Sequence, residues 1–246
     1  LALGKVGTIL DYSVEGEEEE AVFDFTCDEI IRTIDRAAGD SRIPITVFKI
    51  TGIGRFALLE KLDAKEVLTA AEEAEFAKVR ARCEKICRTA YEKNVPIMVD
   101  AEESWIQNTI DELALDMMRL FNREKLLVYN TYQMYRHDKL ADMKADHLIA
   151  RETGFILGVK MVRGAYMEKE RKRASEMGYP SPIQPDKAAS DKDYNASLVY
   201  CVENIQEIGF VAGTHNEQSS NLLAQLLDDH QISHNHPHVY FAQLLG

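Results

Sequence analysis

The stretch GVKMVRGAYMEKE, from Gly158 to Glu170, sets Lys160 inside an apolar, strand-like run and Arg163 at its end, directly before Gly164, Ala165 and Tyr166. Two full charges at buried strand positions are costly unless a carboxylate or an anionic ligand meets them. Gly164 lets a ligand approach the backbone closely or permits an unusual turn, and Tyr166 offers an aromatic face beside a hydroxyl. That combination suits a flat cofactor with an anionic tail more than a bare metal. Similar polar exits recur elsewhere. VFKITG carries Lys49, and IMVDAEE ends in Asp100, Glu102 and Glu103. LVYNTYQMY exits through Asn130, Thr131 and Gln133, and VAGTHN through Thr214, His215 and Asn216. Singly, each has a structural explanation: Lys49 can snorkel, Asp100 can cap a helix, Gln133 can satisfy loop amides. Five successive runs that all end in polar groups point to a shared ligand.

The elements that must position these groups follow from periodicity. Short runs rich in Val, Ile and Leu alternate with helical stretches, the pattern of a parallel sheet with crossover helices. The runs are Val6 to Val14, Ile45 to Thr51, Pro96 to Asp100, Leu126 to Tyr132, Ile156 to Val162, Phe210 to Thr214 and Val239 to Leu244. Phe76, Val79, Cys83, Ile86, Cys87 and Ala90 recur at helical steps, which assigns both cysteines to a core stripe rather than to a metal or redox pair. The expected fold is α/β, a (βα)8 TIM-type barrel lacking its last strand and helix, as one domain over residues 1–246. Gly246 comes two residues after the seventh run, which reads as truncation at the C-terminus. An open dinucleotide-binding sheet is disfavoured, because no G-x-G-x-x-G follows the first run. In a β/α barrel, chemistry sits at the C-terminal ends of the strands. His234, His236 and His238 precede the seventh strand, so they fall at the structural end.

With 246 residues, 46% of them hydrophobic, the chain can bury a large core, and its net charge of −12 argues against a nucleic-acid partner. No apolar run reaches the ~20 residues that span a bilayer. Four cysteines without a C-x-x-C pair, and no leader-like start, point to a reducing compartment. Glu15 to Glu20 reads as a solvated acidic loop, and Tyr179 to Asp186, with three prolines, as a stiff helix-to-helix loop that could cover a ligand.

Taken together, KITGIG, VDAEE, NTYQMY, KMVRGAYMEKE and THNE, in that order along nearly the whole chain, resemble the proline dehydrogenase family of flavoenzymes in its monofunctional form. The resemblance implies a distorted (βα)8 barrel that binds FAD non-covalently and oxidises L-proline to Δ1-pyrroline-5-carboxylate, with electrons passed to a quinone. It implies cofactor contacts for Gln133, Lys160, Val162, Arg163, Gly164, Thr214, His215 and Asn216, and substrate contacts for Lys49, Asp100 and Tyr166. No metal is implied. A quinone acceptor implies peripheral association with a membrane, either the bacterial inner membrane from the cytoplasm or the mitochondrial inner membrane from the matrix. Family members continue into an eighth strand and a helix whose paired arginines grip the substrate carboxylate. This sequence ends before them, so the chain as given is expected to bind proline poorly. Two other readings compete: a lyase-type barrel enzyme forming a Schiff base through Lys160 or Lys49, and an inactive barrel fragment.

Overall fold

A computed structural model describes residues 6–244 except 13 and 15. Glu15 of the acidic run and Gly246 therefore lie outside the described residues. The chain divides into two compact units, Leu1–Asn130 and Thr131–Gly246.

The first unit alternates β1 (Leu10–Asp11), α1 (Glu20–Ala37), β2 (Thr46–Phe48), α2 (Phe56–Asp63), α3 (Ala70–Lys93), β3 (Ile97–Val99) and α4 (Ser104–Phe121), and ends within β4 (Val128–Gln133). Each strand runs parallel to the next, with Leu10 opposite Thr46, Thr46 opposite Ile97 and Ile97 opposite Val128. β2 and β3 are buried at every position, as expected of parallel strands covered on both faces. That is why they read as unbroken apolar runs rather than as alternating ones.

α3 shows how local chemistry sets an element's limits. Thr69 and Glu72 close a reciprocal capping box at its start, and Asn94 in the left-handed conformation ends it. Val79, Cys83, Ile86, Cys87 and Ala90 are all buried on one stripe. The acidic run does more than solvate a loop. Glu20 opens α1 and, with Asp24, binds the buried Arg82 of α3, whose Nη1 also donates to the Ile53 carbonyl at 3.1 Å. Arg82→Met should therefore destabilise the protein by about 2–4 kcal/mol, because it strips a buried carbonyl and two carboxylates of their donor. Asp24→Asn should cost less than about 1 kcal/mol, since that carboxylate is 67% exposed. Urea unfolding midpoints of the two variants test the contrast.

The second unit contains the end of β4, then α5 (Lys139–Thr153), β5 (Leu157–Val162), α6 (Met167–Met177), α7 (Lys187–Glu203), β6 (Ile208–Gly213), α8 (Glu217–Asp229) and β7 (Val239–Ala242). β5, β6 and β7 are parallel neighbours, with Met161 opposite Ala212 and Gly213 opposite Ala242. Within each unit the strand order follows the chain, β1-β2-β3-β4 in the first and β4-β5-β6-β7 in the second. All seven apolar runs thus contain a strand, and the class is α/β with parallel pairing. The loop between α6 and α7 is tied down: His137 N–H donates to the Pro182 carbonyl, Gln184 N–H to that of Tyr135, and Asp186 caps α7.

Ahead of β7, His234 bonds Asp228 at 2.8 Å, while the His236 and His238 rings pack edge to face. Among the described residues no group of three or more His, Cys, Asp or Glu is arranged to hold a metal. No described helix is long and apolar enough to cross a membrane.

Candidate functional site

In the first unit, Lys49 lies just past β2 rather than inside it. It precedes a short 3-10 turn, Ile50–Gly52, because the chain turns as soon as Phe48 completes the paired segment. Asp100 leaves β3 at the same edge, its N–H bonded to the Phe48 carbonyl at 2.9 Å. Lys49 Nζ and Asp100 Oδ2 stand 3.9 Å apart, both side chains largely buried. That separation exceeds the 2.7–2.9 Å typical of a charge-assisted hydrogen bond, so the pair is electrostatic and adjustable.

Next to this pair, Glu102 is buried and takes both the backbone N–H and the hydroxyl of Thr51, in the turn that follows Lys49. Its own N–H donates to Gln107 Oε1 at 2.7 Å. Burial pushes its carboxyl up to about 7, against the lowering effect of the Thr51 bonds and of Lys49, with Glu103 adding to the rise. Asn130 and Gln107 both donate to Asp111, which gives Asn130 a structural role on β4.

In the second unit, Gln133 ends β4 fully buried, and its Oε1 accepts the Ala165 N–H at 3.1 Å. That bond fixes which end of the amide is the oxygen. Lys160 sits within β5 and is half-buried; Val162, the last residue of the strand, is also half-buried. The backbone ladder continues past it, Met134 N–H to the Val162 carbonyl and Tyr135 N–H to that of Arg163.

Gly164 then turns with φ +141, and a Cβ there would lie 2.4 Å from the Tyr135 ring. Of the two uses expected for this glycine, the unusual turn is the one the geometry explains. Tyr166 follows, its N–H donating to the Tyr135 hydroxyl at 3.3 Å and its ring 5.7 Å from the Lys169 ammonium. Burial pushes the Tyr135 phenol up.

Arg163 is the most constrained of these groups. Nε donates to Asp191 at 2.6 Å, Nη1 to Thr214 at 2.7 Å and Nη2 to Ser219 at 3.0 Å, and the guanidinium lies 4.4 Å from the Tyr194 ring centroid. Thr214 Oγ1 also accepts the Asn216 N–H, and Asn216 Oδ1 caps α8 through the Ser219 N–H. His215 between them is exposed. The predicted residues of this unit thus gather at the C-terminal ends of β4, β5 and β6. Sequence reading missed Tyr135, Asp191, Tyr194 and Ser219, which hold them.

The family model described as proline dehydrogenase matches residues 2–246. The chain belongs to that family. It is 32% identical over 223 residues to the carbapenem antibiotics biosynthesis protein CarD of Pectobacterium carotovorum, covering 91% of this chain and 58% of that protein. It is 34% identical over 210 residues to human mitochondrial proline dehydrogenase 1, covering 84% of this chain and 35% of that one. The chain therefore spans about half, or less, of the length of these relatives. In fold, it matches the crystal structure of proline utilization A from Bdellovibrio bacteriovorus inactivated by N-propargylglycine, with a TM-score of 0.82 and 22% identity, over 99% of this chain and 26% of that one. Membership in the proline dehydrogenase family and this likeness agree with the barrel-type α/β class expected from the alternating runs.

Proposed function

We propose that the full-length protein oxidises L-proline to Δ1-pyrroline-5-carboxylate using FAD. The observation that carries this reading is a family match over nearly the whole chain, joined to a donor set at the ends of β4, β5 and β6 that fits a flavin nucleotide. That set comprises a strand cation (Lys160), an oriented amide (Gln133), bare backbone at the exposed Gly164, and the Thr214–His215–Asn216 triplet. Cations and amide donors suit the electron-rich edge of an isoalloxazine and the phosphates of its tail. Gln133, Lys160, Val162, Arg163, Gly164, Thr214, His215 and Asn216 are assigned to the cofactor.

When bound, FAD would supply the acceptor for the hydride, with its two electrons, that leaves proline C5. The chain's own residues bind and orient. Lys49 and Asp100 are assigned to proline, the carboxylate drawing the amine and the ammonium setting the local field. Tyr166 is assigned to packing on the pyrrolidine ring. Lys160 contributes positive charge that favours an anionic reduced cofactor, by Coulomb attraction in a partly dry setting. Downstream, a membrane quinone is the proposed electron acceptor, reached by peripheral association with the inner membrane of a bacterium or a mitochondrion.

The test is product identification. Full-length protein incubated with L-proline and an artificial electron acceptor should yield a product two hydrogens lighter than proline. Borohydride trapping with candidate aldehydes should leave no adduct on Lys49 or Lys160. A covalent adduct at either lysine, with no proline consumed, would establish the Schiff-base chemistry instead.

A further inference from the structure

We infer that Asp191 of α7 is a positioning residue for the cofactor, acting through Arg163 to set the ends of β5 and β6 in one geometry. The inference rests on the flavin reading above. Arg163 follows β5, and Thr214 follows β6, one strand away. A guanidinium has five N–H groups in a rigid plane. Three of them are used by three different elements: Nε by Asp191 on α7, Nη1 by Thr214 after β6, and Nη2 by Ser219 on α8. The Tyr194 ring supports the guanidinium. With three positions fixed, the direction of the remaining two N–H groups is fixed as well, and Thr214 Oγ1 is held where it also receives the Asn216 N–H.

Asp191 is the anionic member of this clamp. Burial tends to raise its carboxyl, but the bonds from Lys187 and Arg163 outweigh that and hold it low, so it stays ionised and keeps the guanidinium in place. Ser219 closes the other side: its hydroxyl accepts from Arg163 and donates to Asn195 Oδ1 at 2.7 Å, so it cannot rotate without breaking one bond. Two of the residues assigned to the cofactor are therefore set by groups that are themselves on helices, away from the strand ends. Lys187 touches Asp191 from solvent, with a side chain 74% exposed, and does not reach Arg163.

The experiment uses full-length, flavin-loaded protein and reads flavin retention rather than turnover. Asp191→Ala should weaken flavin binding about ten- to hundredfold, the value of one charge-assisted hydrogen bond and the orientation it maintains. It should also change the visible circular dichroism of the bound flavin. Asp191→Glu should restore most of both. Lys187→Ala should stay within about twofold of wild type. If Asp191→Ala does not fold, Ser219→Ala decides: a few-fold loss of retention with an altered flavin dichroism supports the clamp, and wild-type values overturn it. Wild-type retention and dichroism in a folded Asp191→Ala overturn the inference alone. A wild-type protein that takes up no flavin overturns the flavin reading, and the inference with it.

Discussion

Gly164→Ala is expected to destabilise the protein by about 2–6 kcal/mol, the sum of two separable costs. The first is conformational: a φ of +141 is a backbone setting that side-chain-bearing residues rarely adopt, at roughly 1–3 kcal/mol. The second is steric. A Cβ would stand 2.4 Å from Cδ1 and Cε1 of Tyr135, and that ring cannot easily retreat. Tyr135 N–H is bonded to the Arg163 carbonyl at 2.6 Å, and its hydroxyl accepts the Tyr166 N–H. Overpacking against a held aromatic costs about 1–3 kcal/mol. A double-mutant cycle separates the two costs. Gly164→Ala made in a Tyr135→Ala background should lose only the conformational part, so the pair should be less destabilised than the sum of the singles by about 1–3 kcal/mol. Guanidinium chloride unfolding of the four proteins gives the coupling, and strict additivity would mean that the ring does not confine this turn.

Glu102 governs the second large effect, a stability that falls as pH rises. Its carboxyl is pushed from the ordinary 4.5 up to about 7, by burial first of all. Below 4.5 it is protonated in both folded and unfolded chains and contributes no pH dependence. Between 4.5 and about 7 the unfolded chain releases this proton while the folded chain keeps it, so folding becomes progressively less favourable. Above about 7 both forms are ionised and the loss is complete, at roughly 3 kcal/mol. Exposed acids held low by cations, such as Asp40 beside Arg42 and Arg36, act in the opposite sense and lose their contribution as pH falls. Comparison with Glu102→Gln removes that background. The stability of wild type minus that of Glu102→Gln should decline between pH 4.5 and 7 and be level on either side. A difference that stays flat would place the Glu102 carboxyl at its ordinary value.

The same residue shows where sequence reading stops. IMVDAEE marked three acids at the end of a strand, but not which would turn inward. Asp100 faces Lys49, whereas Glu102 binds the turn beyond it through Thr51, a partner 51 positions away in sequence. The strands were legible because parallel strands buried on both faces leave long runs of Val, Ile and Leu, as at Ile97–Val99. Their limits were not. Among the described residues, the run from Val6 to Val14 yields a paired segment of Leu10–Asp11, although β2 goes on to Phe48, and Lys49 falls outside β2, which ends level with Val99 of β3.

The polar residues at the strand ends were legible as an anomaly, charges and amides where apolar residues belong. Their supports were not, since Asp191 and Ser219 lie on helices, where an acid or a serine is an ordinary residue. Nothing in their spacing from Arg163, 28 and 56 positions, marks them as its partners. Glu20 likewise read as one of several solvated acids, and only the fold brings it to Arg82.

The central claim is that this chain carries the flavin-binding and proline-binding groups of a proline dehydrogenase. Its most direct test is the visible spectrum of the full-length protein, freed of oxygen, before and after addition of L-proline. The account predicts a flavin absorption band that is present at the outset and bleaches on adding L-proline. A protein without a flavin band after reconstitution with FAD, or a band that L-proline leaves unchanged, would contradict it.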